Sequence, residues 1–193
     1  IVMKLWTAQT IEVYENLKKT GVHRFNADKC YRFYEFGAEP YTWLAEKMKE
    51  RIGFPPEGVE FPVWFWYKWN GNHHKPDLRS RRSFGTKGQK MVLLEVEIPD
   101  NEVLLSDFDS WHFVLNKSHT YYNTNTEQAF DEIYNWLQSL PEVERQMEIE
   151  KSWDSIFDIT PMKNDYRQTG YWVQATAWEL RLENVLKVTP FTC

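Results

Sequence analysis

Three tryptophans stand directly before a basic stretch in the middle of the chain: Trp64, Trp66 and Trp69, followed by residues 73–82. On a β-strand, Trp64 and Trp66 would share a face because side chains alternate. Indole rings offer a stacking surface for a base, and an arginine guanidinium offers a planar fork for a phosphate. The pattern predicts a site for a nucleotide or a single-stranded nucleic acid. The alternative is that the tryptophans fill the core and the arginines are only solvated.

The charge distribution along the chain bears on the same question. A net charge of −5 argues against a general nucleic-acid-binding protein. However, residues 61–90 carry seven Lys/Arg and one acid, whereas residues 101–160 carry three Lys/Arg and twelve Asp/Glu. A local basic patch attracts a phosphate over a Debye length, which is about 8 Å at physiological salt. The alternative is that the two oppositely charged parts pair with each other in the fold.

A second set of chemically competent residues lies between Ser106 and His112. Two carboxylates and a histidine supply the groups needed for acid–base catalysis. Asp109 and His112 are three residues apart, so their side chains can touch on a helix. We therefore take both as candidate catalytic residues. The alternatives are that Asp107 only caps a helix and that Asp109 and His112 form a buried polar pair.

A third candidate is Glu179, on a predicted strand near the end of the chain. Gln174 would share one face of that strand with Thr176 and Trp178, leaving Glu179 on the other face among small and apolar neighbours. We predict that Glu179 is largely buried on a central strand, near Arg79 or another cation, and acts at the site. An ion pair with the basic patch would explain its position equally well.

The elements that must position these residues follow from hydrophobic periodicity. Strands are predicted over residues 3–8, 22–25, 62–69, 90–98, 103–105, 171–182 and 185–188; helices are predicted over residues 11–19, 38–52, 107–115, 127–138 and 142–157. The order is not a regular alternation, so we predict an α+β fold with a mixed or antiparallel sheet and about five helices packed around it. Residues 70–89 form an unusually long connection, and we predict that they make a positively charged wall of the main pocket.

Length and composition bound the remaining expectations. At 193 residues with 42% apolar content, the chain is predicted to form a single domain over residues 1–193. It has no run of about 20 uncharged apolar residues and no signal-peptide pattern, so we expect a cytoplasmic protein without membrane contact. Cys30 and Cys193 lie outside any CxxC pair and are expected to be reduced. The histidines lack metal-ligand spacing, so no metal is expected. The oligomeric state stays open.

Six blocks of sequence are distinctive, at residues 5–10, 62–67, 75–79, 104–116, 152–158 and 174–180. Together they resemble a bacterial and phage family that is catalogued as domain of unknown function 3841. The resemblance spans nearly the whole chain, and it implies one whole-length domain of bacterial or phage origin. It implies no activity.

A further resemblance concerns the order of elements: a strand, a helix ending in Leu-x-x-x-Gly at residues 17–21, and a closing pair of strands with a glutamate. This outline is similar to ADP-ribosyltransferase-like enzymes, which bind NAD in the cleft of a split mixed sheet. The resemblance implies NAD as cofactor and a role for Glu179 at the nicotinamide ribose. The early strand departs from the pattern because it has no Arg or His, so Arg79 would have to supply the phosphate contact.

These expectations give a leading hypothesis and an alternative. The first is a nucleotide-binding, ADP-ribosyltransferase-like enzyme acting on an unknown target, with Glu179, Asp109 and His112 as catalytic candidates. Its cofactor-binding candidates are Trp6, Gln9, Trp66, Asp77, Arg79 and Gln174. The alternative is a non-catalytic module that binds nucleic acid or a protein partner through the same aromatic-basic surface. A nucleotide-sized cleft lined by Arg79 and Glu179 would favour the enzyme, whereas an exposed basic segment would favour the module.

Overall fold

The computed structural model describes the backbone of residues 1–193 and every side chain except that of Tyr31. The fold is α+β, as predicted. The chain forms two compact units, which we call unit 1 (residues 1–105 and 174–193) and unit 2 (residues 106–173). The single domain over residues 1–193 stays a prediction.

The bounds of the elements are as follows. Unit 1 holds β1 (Val2–Thr10), α1 (Ile11–Thr20), β2 (Val22–His23), α2 (Tyr31–Phe36), α3 (Glu39–Ile52), β3 (Val63–Lys68), β4 (Lys90–Pro99), β9 (Leu180–Arg181) and β10 (Val185–Thr192). Unit 2 holds α4 (Phe108–Leu115), α5 (Glu127–Ser139), α6 (Glu142–Ser152), β6 (Met162–Lys163) and β7 (Gln168–Thr169). Two strands have residues in both units, β5 (Leu104–Asp107) and β8 (Val173–Ala177).

The main sheet has the strand order β10-β4-β1-β3-β8-β5. Strand β1 pairs antiparallel with β3 and β4, and β10 pairs antiparallel with β4. Several predicted elements are wrong in extent; the strand expected over residues 185–188, for example, continues as β10 to Thr192. The strand expected over residues 171–182 is broken between β8 and β9, and the helix expected over residues 142–157 ends as α6 at Ser152, before a 3-10 turn over Trp153–Phe157.

The core of unit 1 lies on one face of this sheet. Leu5 on β1, Phe65 on β3 and Leu94 on β4 are at most 2% exposed and belong to one apolar cluster. Leu17 of α1 joins the same cluster, so this helix covers the core face. Side chains alternate along a strand, so the neighbours Trp6 and Trp66 lie on the opposite face, which we call the tryptophan face.

Helix α1 begins and ends where its sequence predicts. The Thr10 hydroxyl accepts a hydrogen bond from the Val13 N–H at 3.2 Å, which satisfies a donor in the first turn. Gly21 has φ of 82°, in the left-handed region that glycine adopts without strain, and its N–H donates to the Leu17 carbonyl at 2.8 Å. None of the described helices is both long and apolar enough to span a bilayer.

Candidate functional site

The tryptophan face is built on a pairing between β1 and β3, where Trp6 lies opposite Trp66. Trp6 is only 4% exposed, and its indole N–H donates to the Glu95 carboxylate at 3.0 Å. Trp66 is half-buried and meets Trp69 edge-on, with ring centroids 5.0 Å apart. Trp6 therefore packs as a core residue, whereas Trp66 keeps part of its surface in solvent.

The basic segment, which we define as residues 70–90 so that it includes Lys90 at the start of β4, folds onto this face and is held there by aromatic contacts. Phe84 lies 5.8 Å from Trp69 and 6.1 Å from Phe191 of β10, measured between ring centroids. The Gly88 N–H donates to the Cys193 carbonyl at 2.6 Å, and the Cys193 N–H donates to the Gln89 carbonyl at 3.0 Å. The segment is thus fixed at its aromatic side, and a 3-10 turn over Leu78–Ser83 presents its arginines.

The cations of the basic segment are exposed and mostly uncompensated. No described carboxylate of unit 1 lies within 4.0 Å of five of them: Lys75, Arg81, Arg82, Lys87 and Lys90. Arg79 is the exception, because its guanidinium binds the Asp77 carboxylate at 2.6 Å while its side chain stays 91% exposed. The hydrogen bonds from Arg79 lower the pKa of Asp77 to about 2. The predicted cofactor-binding pair Asp77 and Arg79 therefore neutralise each other.

An open concavity of about 650 Å³ lies along the basic segment. Its lining residues come from this segment alone: His74, Lys75, Pro76, Asp77, Leu78, Arg79 and Arg81. Arg79 and Arg81 therefore stand at a concave surface, as the predicted positively charged wall requires. Glu179 does not belong to this lining.

Glu179 lies in a different setting from the one predicted. It falls between β8 and β9 rather than on a strand, and its side chain is 15% exposed. Its carboxylate binds Arg24 and Arg181, each at 3.2 Å. Arg181 also binds Glu102 at 2.7 Å. The expected burial near a cation is present, but the cations are Arg24 and Arg181, and the network accounts for Glu179 by ion pairing.

The two glutamines predicted to bind a cofactor differ in how their amides are satisfied. The Gln9 side-chain amide donates to the Thr7 hydroxyl at 2.9 Å. Gln174 on β8 is 5% exposed, and its Nε2 has no acceptor among the described residues. Its neighbour Ala175 belongs to the core cluster, so Gln174 lies on the tryptophan face. Of the two, only Gln174 has a side-chain amide nitrogen with no hydrogen-bond partner among the described residues.

Asp109 and His112 belong to unit 2, where they lie on α4. This helix begins at Asp107, whose fully buried carboxylate accepts hydrogen bonds from the Ser110 N–H at 2.8 Å and the Gly170 N–H at 2.7 Å. The expected cap is confirmed. Gly170 has φ of 72°, and a Cβ there would meet the Ile159 carbonyl oxygen at 2.4 Å. Glycine is therefore required for this contact with Asp107.

The predicted acid–base pair is close but not hydrogen-bonded. Asp109 is half-buried, and its burial and the charge of Asp107 raise its pKa, against smaller opposing effects of His112 and Arg167. The Nδ1 atom of His112 lies 2.8 Å from the Phe108 carbonyl oxygen, so Nδ1 carries the hydrogen of this bond. The charge of His112 lowers the pKa of Asp109 slightly, but no hydrogen bond joins the two side chains.

Arg167 is the residue of this region that the sequence analysis missed. It donates to the Ser110 hydroxyl at 2.9 Å and to the Thr120 carbonyl, and its guanidinium lies 5.5 Å from the centre of the Phe113 ring. It is separated from α4 by more than 50 residues, and no motif links the two. We define Asp109, His112 and Arg167 as the α4 polar cluster.

The described residues contain no group of three His, Cys, Asp or Glu side chains placed to hold a metal ion. In the comparisons with known proteins, no curated protein and no solved structure matches the chain. The model of the family described as "Domain of unknown function (DUF3841)" matches residues 4–186. This match covers nearly the whole chain and both compact units, so the chain belongs to that family.

Proposed function

We propose that the basic segment and the adjoining tryptophan face bind single-stranded nucleic acid without base specificity. The observation that carries this proposal is the set of exposed cations without carboxylate partners in unit 1, held on an aromatic scaffold. Proteins that bind single strands combine a positively charged groove for the backbone with aromatic rings on which bases stack. Trp66 and Trp69 supply rings at the edge of the segment that carries Arg81 and Arg82.

The openness of the surface favours a strand over a free nucleotide. Small-molecule sites bury most of their ligand's surface in a largely enclosed pocket. The concavity beside Arg79 is open, and its lining comes from one stretch of chain. An extended polyanion needs no enclosure, since each phosphate is held by its own exposed cation and the contacts add along the strand.

The ADP-ribosyltransferase-like activity stays a prediction that competes with this proposal. It requires Glu179 to act at a ribose beside a bound phosphate. The double ion pair of Glu179 with Arg24 and Arg181 supports a structural role for this carboxylate instead. For that reason the non-catalytic module is the better supported of the two functions.

Fluorescence anisotropy with a labelled oligo-dT strand at low salt tests the proposal. The informative variant is Arg81→Gln/Arg82→Gln, since both side chains are exposed and their replacement leaves the aromatic contacts intact. The control is Lys18→Gln/Lys19→Gln, which makes the same change in formal charge at the end of α1, where Lys18 is paired with Glu15 at 2.9 Å. Weaker binding by the first variant alone supports the proposal.

Two further arms separate the ligand classes. NAD and ATP are added as competitors of the labelled strand, and a duplex of the same length is compared with it. Displacement by micromolar NAD would favour the transferase hypothesis over the proposal. No binding of oligo-dT at low salt, or equal losses in the variant and its control, would refute the proposal.

A further inference from the structure

Arg167 in unit 2 has hydrogen-bonding capacity that the protein does not use. A guanidinium has five N–H donors. One donates to the Thr120 carbonyl and one to the Ser110 hydroxyl, and no described carboxylate lies within 4.0 Å of the group. Three donors of a half-buried cation therefore have no acceptor among the described residues, although burial lowers the pKa of this group and disfavours its charge.

Two acceptors without donors lie on the accessible face of the neighbouring helix. The Asp109 carboxylate accepts no hydrogen bond from the described residues, and it is half-buried. His112 donates from Nδ1 to the Phe108 carbonyl, and its Nε2 has no hydrogen-bond partner among the described residues. Asp109, His112 and Phe113 share one face of α4 by their spacing, and Arg167 lies over the Phe113 ring of that same face.

A purely stabilising role does not account for this arrangement. Charges that are removed from water for stability are normally paired in direct, hydrogen-bonded contact, because desolvation otherwise exceeds the attraction between them. The buried Asp107 carboxylate, and to a smaller extent Asp109, favour the charge of Arg167, yet neither forms an ion pair with it within 4.0 Å. No hydrogen bond joins the donors of Arg167 to the acceptors of Asp109 and His112, so each set stays available to a ligand.

We propose that the α4 polar cluster binds a small ligand in which an oxyanion, either phosphate or carboxylate, adjoins a hydroxyl group. The planar fork of Arg167 donates to the oxyanion, for which its geometry is suited. The hydroxyl donates its single hydrogen to the Asp109 carboxylate, on the same face of α4 as His112. All three residues belong to unit 2, so this proposal is independent of nucleic-acid binding by unit 1.

Three probes test the ligand chemistry by isothermal titration calorimetry and by the NMR shift of the His112 ring at pH 7.5. Glycerol 3-phosphate carries a phosphate and hydroxyls, methyl phosphate carries the phosphate alone, and glycolate carries a carboxylate with a hydroxyl. We expect the first to bind at least several-fold more tightly than the second. The stronger of glycerol 3-phosphate and glycolate identifies the preferred oxyanion.

Asp109→Asn gives the sharpest distinction. Removing a like charge near the oxyanion should tighten methyl phosphate binding, by about tenfold if the charges are some 6 Å apart in a partly screened setting. The same change replaces a charged acceptor for the hydroxyl by a weaker, neutral amide oxygen, so the advantage of glycerol 3-phosphate should shrink. A structural role for Asp109 would produce neither change.

Arg167→Lys is expected to weaken all three probes at least tenfold, because a lysine lacks the fork. That variant also loses the bonds to Thr120 and Ser110, so its melting temperature is measured alongside. If it does not fold, the Asp109→Asn comparison decides the question. No shift of the His112 ring with any probe at millimolar concentration, or equal effects of Asp109→Asn on both phosphates, would overturn the proposal.

Discussion

The salt dependence of oligonucleotide binding is the most quantitative consequence of the basic segment. Each Lys or Arg that neutralises a phosphate releases a counterion, so the logarithm of the binding constant falls linearly with the logarithm of the salt concentration. Five cations of the segment lack a carboxylate partner in unit 1: Lys75, Arg81, Arg82, Lys87 and Lys90. Arg79 is already neutralised by Asp77 and is not counted.

The magnitude follows from this count. For a single strand the slope is about −0.7 per phosphate neutralised, so five contacts give a slope of about −3.5. Raising the salt from 50 to 200 mM should then weaken binding by about 130-fold. With Arg81 and Arg82 both replaced by Gln, three contacts remain, the slope becomes about −2.1, and the same change in salt weakens binding only about 20-fold.

Fluorescence anisotropy titrations at four salt concentrations measure both slopes. The control with Lys18 and Lys19 replaced by Gln should keep the slope of the parent, because those side chains lie on α1 and not in the basic segment. Thermal melts should show that both double variants stay folded, since exposed substitutions usually change the free energy of unfolding by less than about 0.5 kcal/mol. The reasoning is refuted if the variant of the basic segment keeps the parent's slope.

Three further predictions concern single side chains. Glu179→Gln removes two ion pairs of a carboxylate that is 15% exposed, so the free energy of unfolding, measured in urea, should fall by about 1–2 kcal/mol. A variant that keeps its stability but loses an NAD-dependent transfer activity of the parent would instead favour the transferase hypothesis. Gly170→Ala should lower the free energy of unfolding by about 3 kcal/mol or more, because the new Cβ would overlap backbone atoms. Gly58→Ala has a similar φ but open space around the new Cβ, so it should lower the free energy of unfolding by only about 1 kcal/mol. Equal losses in the two variants would contradict this prediction. Burial raises the pKa of Asp109, so the contribution of this carboxyl to the free energy of unfolding is present below pH 3.8 and is lost as pH rises through the raised pKa. Asp109→Asn should therefore raise the melting temperature at pH 7 but not below pH 3.8. An unchanged melting temperature at pH 7 would contradict the raised pKa.

Sequence patterns predicted correctly those helices and strands that are stabilised by interactions between residues close in sequence. The ten residues of helix α1 lie between a threonine cap and a glycine stop, and both signals act through bonds to the helix itself. Strand β4 alternates along its length, and its inward residues are buried as expected. The cap at Asp107 was likewise readable, since its side chain bonds the helix that it begins.

The failures involve partners that are distant in sequence. The strand expected over residues 171–182 breaks at Glu179, where the carboxylate binds Arg24, 155 residues away. Arg167 reaches the start of α4 by bonding Ser110, 57 residues away, so neither residue alone indicates the other. Hydrophobic periodicity and residue propensities cannot predict such pairings, because the pairings depend on electrostatic interactions and desolvation between residues that are distant in sequence.

The division into two units separates the charge of the chain in a way that constrains both proposed ligands. Unit 2 holds five of the 23 Lys/Arg and twelve of the 28 Asp/Glu, a net charge of −7, which leaves unit 1 with +2. The net charge of unit 2 disfavours a polyanion on that unit, whereas unit 1 carries the basic segment. Within unit 2, Arg167 is a half-buried cation without a carboxylate partner within 4.0 Å among the described residues, which is the setting that a small oxyanion requires. The net charge of −5 thus excludes neither ligand, because binding is decided by the few cations that the fold leaves unpaired.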